Sequence, residues 1–294
     1  MTTSTLTRSG PTPDRPALNV LSLGAGQQSS TLLLLACHGR IPRFDVARFA
    51  DTGWEPQAVN RHLDRLAALA TDAGIEVCRV GIGDIRADAL DPAHRFASMP
   101  LFTLGPDGRR GLARRQCTTE YKINPLKREV RRRLGYPHPA RVPAWVWARM
   151  SIGISVEEVG RVRDSDVRHM RNAFPLLDLG WRRHECQRYL AAHGLGDTPR
   201  SSCVGCPFHT DDVWARHKSD SPAECDDAVA FDHAIGNGSP RANANGQPLR
   251  GTFYLHASRV PLDQVPLRPR AGAPDGPGCV PWTCPHTPPV GEVA

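Results

Sequence analysis

Residues 18–82 constrain the fold most, because short apolar runs there alternate with helical stretches in a fixed order. Leu18 to Leu23 is an apolar run suited to a buried parallel strand, and it enters the small-residue turn Ser22-Leu23-Gly24-Ala25-Gly26-Gln27-Gln28-Ser29-Ser30. A helical run, TLLLLACHG, follows and closes at Gly39. The second strand, Val46 to Ala50, ends in DTGWEP; Leu63, Leu66, Leu69 and Ala70 then recur at helical spacing across 56–73, and Gly74 ends that segment. Glu76 to Ile82 is the third strand. A βαβαβ order predicts an open, mostly parallel sheet with helices on both faces, which binds ligands at the carboxyl ends of its strands.

The remainder is more varied. Residues 1–16 are rich in Ser, Thr and Pro without apolar period and are expected to form a disordered tail, and the Pro- and Gly-rich stretch 266–294 forms a second tail. Residues 91–116 carry no period and are expected to form a long loop over the sheet's carboxyl edge. A helix is expected over Asn124–Leu134, a fourth strand within Trp145–Gly153, and a helix at SVEEV with Ser155 as N-cap and Glu158 in the capping box. Helices near 181–193, 210–218 and 222–235 and a short strand at Phe253–His256 complete the pattern. The organisation expected is a core domain at 17–165 and a helical, cysteine-bearing region at 166–265.

No apolar run approaches the roughly 20 residues of a membrane span, and the first residues lack the apolar core of a signal peptide, so a soluble, cytoplasmic protein without membrane contact is expected. Against that compartment, nine cysteines argue for metal or thiol chemistry over a disulfide framework. The net charge of +7 favours an anionic partner or substrate.

The turn after the first strand offers backbone N–H groups, hydroxyls and a helix N-terminus to an anion, which makes it a phosphate site by chemistry. It is neither a Walker loop, lacking GK[ST], nor a dinucleotide fingerprint. The segment resembles the pyrophosphate loop of the PP-loop ATP pyrophosphatase and phosphoadenosine-phosphosulfate (PAPS) reductase superfamily, with Gln28 where that family has Asp. Phe49-Ala50-Asp51-Thr52-Gly53 resembles the family's FxDTG motif, and Cys117 to Leu126 resembles its CCxxRKxxPL segment, with Thr118 at the second Cys and Lys122 at the Lys. Ser201 to His209, holding Cys203-Val204-Gly205-Cys206-Pro207, resembles its CxxC.

The resemblance spans about residues 18–218 and implies a Rossmann-like αβα sheet of the adenine nucleotide alpha hydrolase kind. It implies that Ser22, Gly24, Gly26, Gln28, Ser29 and Ser30 hold the phosphates of ATP, which binds with Mg. Asp51, Thr52 and Gly53 would lie near the adenosine, and Lys122 and Asp51 would act in catalysis. Cys117, Cys203 and Cys206 are the expected metal ligands, for a 4Fe-4S cluster with one open iron or for structural zinc. The fourth position stays open among Cys186, Cys279, Cys284, His209 and no protein donor at all. Cys284, with His286 beside it, is a candidate nucleophile in the tail; Cys37, Cys78 and Cys225 receive no role.

The function implied is ATP-dependent sulfur insertion: an acceptor is adenylated, and sulfur from a cluster or a cysteine persulfide displaces AMP. A sulfur donor such as a cysteine desulfurase, a tRNA or DNA acceptor, and a homodimer belong to the expected partners. The alternatives are PAPS or adenylyl-sulfate reduction and a non-catalytic, zinc-containing nucleic-acid-binding protein. Lys122, Lys127, Arg128, Arg131, Arg132 and Arg133, with Arg114 and Arg115, form the densest basic region, and either ATP phosphates or nucleic-acid backbone would suit it.

Overall fold

The computed structural model describes residues 15–94, 99–238 and 251–269. Five strands, β1 (Leu18–Leu23), β2 (Val46–Ala50), β3 (Glu76–Val80), β6 (Ala148–Ile152) and β7 (Met170–Ala173), form one parallel sheet in the order β3-β2-β1-β6-β7. Such strands are covered on both faces and therefore read as continuous apolar runs. β1 shows the division: Leu21 and Leu23 enter one apolar layer and Val20 the opposite one.

The first layer is closed by α1 (Gln27–Cys37), α2 (Gln57–Asp72), α5 (Pro175–Asp178) and α6 (Arg183–Ala192), with Leu32, Leu33, Leu63, Leu66, Leu176 and Leu190 in the core. On α2 the buried stripe is Val59, His62, Leu63, Leu66 and Ala70; Leu69, expected among them, faces solvent and His62 occupies the apolar face instead. Opposite, α4 (Asn124–Arg133) packs Val130 against Val20, Val46, Met150 and Ile152. The expected αβα sandwich is present. β7 lies beyond residue 165 and completes this sheet, so the sheet runs across that position.

A smaller lobe differs from the sequence expectation. The stretch 91–116, expected as an irregular loop, contains β4 (Phe102–Leu104) and β5 (Arg110–Leu112), which pair antiparallel; β8 (Thr252–Tyr254) joins the other side of β4. Strands of three residues carry too little periodicity to be read, and half of the pairing comes from a segment about 150 residues away in the chain. This sheet rests on α3 (Ile85–Leu90), α7 (Asp211–Asp220) and α8 (Pro222–Ile235) through Ile85, Leu101, Trp214, Phe231, Phe253 and Leu255. Asp232 on α8 accepts backbone N–H bonds from Leu255 at 2.6 Å and Leu262 at 2.8 Å, which pins the β8 segment in place.

At SVEEV the expected α-helix is a 3-10 turn over Val156–Arg161, and Ser155 makes no side-chain cap. The Glu158 carboxylate is drawn away to the α1 loop and to two arginines, described below. Among the described residues no helix is long and apolar enough to cross a membrane.

Candidate active site

In the order β3-β2-β1-β6-β7 the chain reverses direction of travel between β1 and β6, which makes the crevice at their carboxyl ends the topological switch point where ligands bind in open α/β sheets. The small-residue loop lies there. Ala25 sits fully buried at φ 52°, a left-handed conformation that costs a non-glycine residue free energy and persists only where the surroundings enforce it. The Gly24 N–H donates to Ser29 Oγ at 3.1 Å, and Ser29 Oγ donates to the Gly26 carbonyl at 3.2 Å, so the loop is braced from within.

Two neighbours fix its walls. A Cβ on Gly153, just past β6, would stand 2.8 Å from the Ser29 nitrogen, so the β6 end and the first turn of α1 touch backbone to backbone. A Cβ on Gly24 or Gly26 would meet the Ser201 side chain at 3.1 or 3.0 Å, so Ser201 lies across both glycines. Of the residues expected to hold phosphate, Gly24, Gly26, Gln28 and Ser29 line this loop. Ser22 is buried within β1, and Ser30 turns inward, its Oγ 3.0 Å from His62 Nε2. Burial of His62 lowers its pKa to about 4, so the imidazole is neutral at physiological pH.

Gln28 Nε2 donates to Glu158 Oε2 at 2.8 Å. The other oxygen of Glu158 pairs with Arg161 and, at 3.3 Å, with Arg183. One buried carboxylate thus holds two guanidinium groups beside a helix N-terminus, a setting suited to an anionic ligand.

The β2 end supplies a second cluster. Thr52 Oγ1 donates to Glu55 Oε1 at 3.0 Å and stands 3.2 Å from Cys203 Sγ; that thiol reaches the same Glu55 oxygen at 3.8 Å. Lys122 Nζ pairs with Glu55 Oε1 at 3.5 Å, with Lys122 7 % and Glu55 1 % exposed in their side chains. Glu55 Oε2 is buried without a partner. Lys122 is carried by a π-helical turn over Thr118–Ile123, and such turns are frequent at functional sites. Asp51 takes a different course: its carboxylate accepts from the Gly53 N–H at 2.9 Å and from Arg79 at 3.2 Å. Gly53 is required here, with φ 77° and a Cβ position only 2.6 Å from Asp84 Cα.

The expected ligand set is not assembled. Among the described residues no three His, Cys, Asp or Glu side chains gather so as to hold a metal ion. Cys203 is turned to Thr52 and Glu55, while Cys117 begins the π-helical turn and packs on the smaller lobe's apolar cluster. As placed, these donors fit neither a cluster nor zinc, and no step is derived through either. Two fourth-donor candidates also have other work. His209 Nε2 faces the carbonyls of Cys203 at 2.9 Å and Val204 at 3.1 Å; carbonyls only accept, so this nitrogen donates and the ring buttresses the CxxC turn. Cys186 is wholly buried in the main core, where burial pushes its thiol up to about 12. Cys279, Cys284 and His286 lie outside the described residues.

Glu55 and Arg183 escaped the sequence reading. Arg183 left a trace: it occupies the first turn of α6, where helix polarity disfavours a cation, so its placement there signals another use. Glu55 had only its position after a strand's carboxyl end.

Fold and site together define an open parallel α/β protein with a braced small-residue loop leading into a helix N-terminus at its switch point and a thiol, an ammonium and a carboxylate at the adjacent strand end. No protein-family model matches the chain, and no curated protein matches it. Among solved structures, the chain is similar to phosphoadenylyl-sulfate (PAPS) reductase from Candida auris in its phosphate complex, at 14 % identity and a TM-score of 0.41, with 65 % of this chain and 81 % of that chain covered.

Proposed function

We propose that the chain is an ATP-dependent sulfurtransferase of the PP-loop type. The observation that carries this reading is the continuity of one short segment: Ser201 lies over the glycines of the phosphate loop, and Cys203, two residues on, meets Thr52 and Glu55. A thiol is thereby held next to the place where a nucleotide's phosphates would sit.

In this reading ATP enters with Mg as its counter-ion. The Gly24, Gly26 and Ser29 region and the α1 N-terminus receive the phosphates, and Arg161 and Arg183, aligned by Glu158, grip the charge that builds on the departing pyrophosphate. An acceptor oxygen attacks the α-phosphorus, forming the new P–O bond as the bond to pyrophosphate breaks. A persulfide on Cys203, loaded by a cysteine-desulfurase-type donor, attacks the activated carbon through its outer sulfur, and the C–O bond breaks to release AMP. Cys206 thiolate then attacks Cys203 Sγ, which frees the thiolated acceptor and leaves a Cys203–Cys206 disulfide for an external dithiol to reduce. Lys122 stabilises the anionic sulfur, and Glu55, anchored by Thr52 and Lys122, holds the ammonium in position.

The test supplies ATP, a persulfide donor and candidate acceptors, and measures AMP, pyrophosphate and thiolated product. Formation of all three, lost in Cys203→Ser and with ATP affinity reduced about tenfold or more in Arg183→Ala, supports the reading. Sulfite release from PAPS or adenylyl sulfate with a dithiol, without pyrophosphate, would replace it with nucleotide-sulfate reduction.

A further inference from the structure

The basic region is divided by the fold into two parts with different fates. On α4 four of the five basic side chains are engaged inside the molecule, while Arg128 is exposed. Glu129 pairs with Arg48, Arg132 and Arg133, Glu76 pairs with Arg133, and Lys127 meets Asp166 at 2.6 Å. Arg131 spends its guanidinium on the carbonyls of Tyr136 and Ala140. A helix whose basic side chains are mostly tied to internal partners has fewer of them free to reach a polyanion.

The β4–β5 hairpin is the opposite case. β5 is an edge strand of the small sheet as described; Arg110 and Leu112 on it and Arg114, two residues past its end, are exposed in alternation, with Arg109 also exposed. Between Phe102 and Arg114 the acidic residue is Asp107, in the turn between β4 and β5 and 3.3 Å from Arg109, whose side chain is 90 % exposed. Arg110 also bears on Arg259, whose pKa is lowered by its burial first and by the Arg110 charge second. Arg259 is fixed beneath the strand by bonds to the Thr103 carbonyl at 2.9 Å and the Gly111 carbonyl at 3.0 Å, so the positive charge is built into the sheet as well as displayed on it.

The strand also leads into the site. Ala113 and Cys117 pack on the same apolar cluster as Trp54 and Val204, and Arg115 stacks over Phe208, 5.2 Å from its ring centre, just after the CxxC turn. We propose that the exposed edge of residues 109–114 is a docking surface for the phosphodiester backbone of a nucleic acid, which it guides towards Cys203. Alternate residues on a strand stand about 6.6 Å apart, close to twice the roughly 3.4 Å rise per phosphate along one strand of a duplex. Arg110 and Arg114, four residues and so about 13 Å apart in an extended segment, therefore match phosphates about four positions apart, with Leu112 between them against sugar or base. The surface needs neither ATP nor sulfur chemistry to bind, so it stands or falls apart from the proposed reaction.

The test is fluorescence anisotropy of labelled RNA and DNA oligonucleotides, single-stranded and duplex, over a salt series. Wild type should bind one or more of these. The double variant Arg110→Ala/Arg114→Ala should bind at least tenfold more weakly, with the salt slope reduced by about 1.4 on a single strand for the two lost phosphate contacts. Arg110→Lys/Arg114→Lys should keep most of the affinity, Arg132→Ala on α4 should leave it unchanged, and ATP binding should be the same in all. Comparison of the oligonucleotides then tells RNA from DNA. The proposal is overturned if wild type binds no oligonucleotide, if the alanine pair binds as wild type does, or if polyglutamate is bound more tightly than every oligonucleotide.

Discussion

His62 and Gly153 show how single positions support the loop without touching a ligand. The imidazole of His62 binds a proton near its ordinary value of 6.5 when the chain is unfolded and near about 4 when folded, so between those values the unfolded chain holds more protons. Its contribution to stability is complete above about pH 6.5 and is lost as the pH falls toward 4. His62→Gln, which keeps a hydrogen-bonding group for Ser30 but does not titrate, should lose less stability than wild type between pH 7 and 5 in denaturant unfolding; an equal loss would refute this role. Gly153 is sterically confined, since a methyl group would press on the Ser29 nitrogen and the Gln28 carbonyl carbon, both backbone. Gly153→Ala should destabilise the fold by about 1–3 kcal/mol and weaken ATP binding, measured by unfolding and calorimetric titration; unchanged ATP affinity would show that the loop tolerates the shift. At this scale the sequence was legible where chemistry is local. The small-residue loop, Lys122 and the CxxC turn could be singled out because their residue types and spacings are themselves the signal, and the fold brings them to neighbouring strand ends. Glu55, His62 and Arg183 acquire meaning only from partners far along the chain, and so did Glu158, which reads as a helix cap until Gln28, Arg161 and Arg183 draw its carboxylate away.

Among elements, α4 is the clearest case of a misleading pattern. Its arginine run suggests an external polyanion, yet Arg132 and Arg133 pair with Glu129 and Glu76, the same two acids that hold the buried guanidinium of Arg48, which is 3 % exposed and 2.8 Å from Glu129. Glu129→Ala would leave the Arg48 charge only the more distant, half-exposed Glu76 at 3.6 Å and should cost about 3 kcal/mol, whereas Arg132→Ala, removing a side chain 61 % exposed, should change unfolding little. Equal effects in chemical denaturation would contradict the network. The parallel strands β1 and β2 were legible because burial on both faces leaves largely apolar runs, and β3, at the sheet edge, because it follows the Gly74 stop in the βαβαβ order. β4, β5 and β8 were not, because strands of three residues are specified by each other and by the apolar layer of α3, α7 and α8 beneath them. β7, Met-Arg-Asn-Ala, is likewise too polar to announce itself; edge position beside β6 permits it.

For the molecule as a whole, the two lobes share a seam. Trp54 leaves the β2 end of the large sheet and enters the core of the small lobe, where it packs on Phe231 and donates to Asp227 at 2.7 Å. Its ring lies so close to Gly205 that a Cβ there would fall 2.0 Å from it. The small lobe depends in turn on Asp232. Asp232→Asn would set an amide donor against one of the two N–H groups that the carboxylate now accepts, at a cost of about 1–3 kcal/mol. The variant should also show faster amide exchange at Leu255 and Leu262 than wild type, and unchanged exchange there would rule out this clamp.

The long reach of β8 has a consequence for how the protein is made. Residues 102–112 emerge early from the ribosome, but the strand that covers the free side of β4 and the segment held by Asp232 follow only after residue 251. Chains fold during synthesis roughly in order of emergence, so the parallel sheet can consolidate once β7 is out while β4 waits with one edge bare. The nucleotide loop would therefore be formed before the lobe that frames the thiol, and the interval between them is when a nascent chain exposes Phe102 and Leu101 to wrong partners.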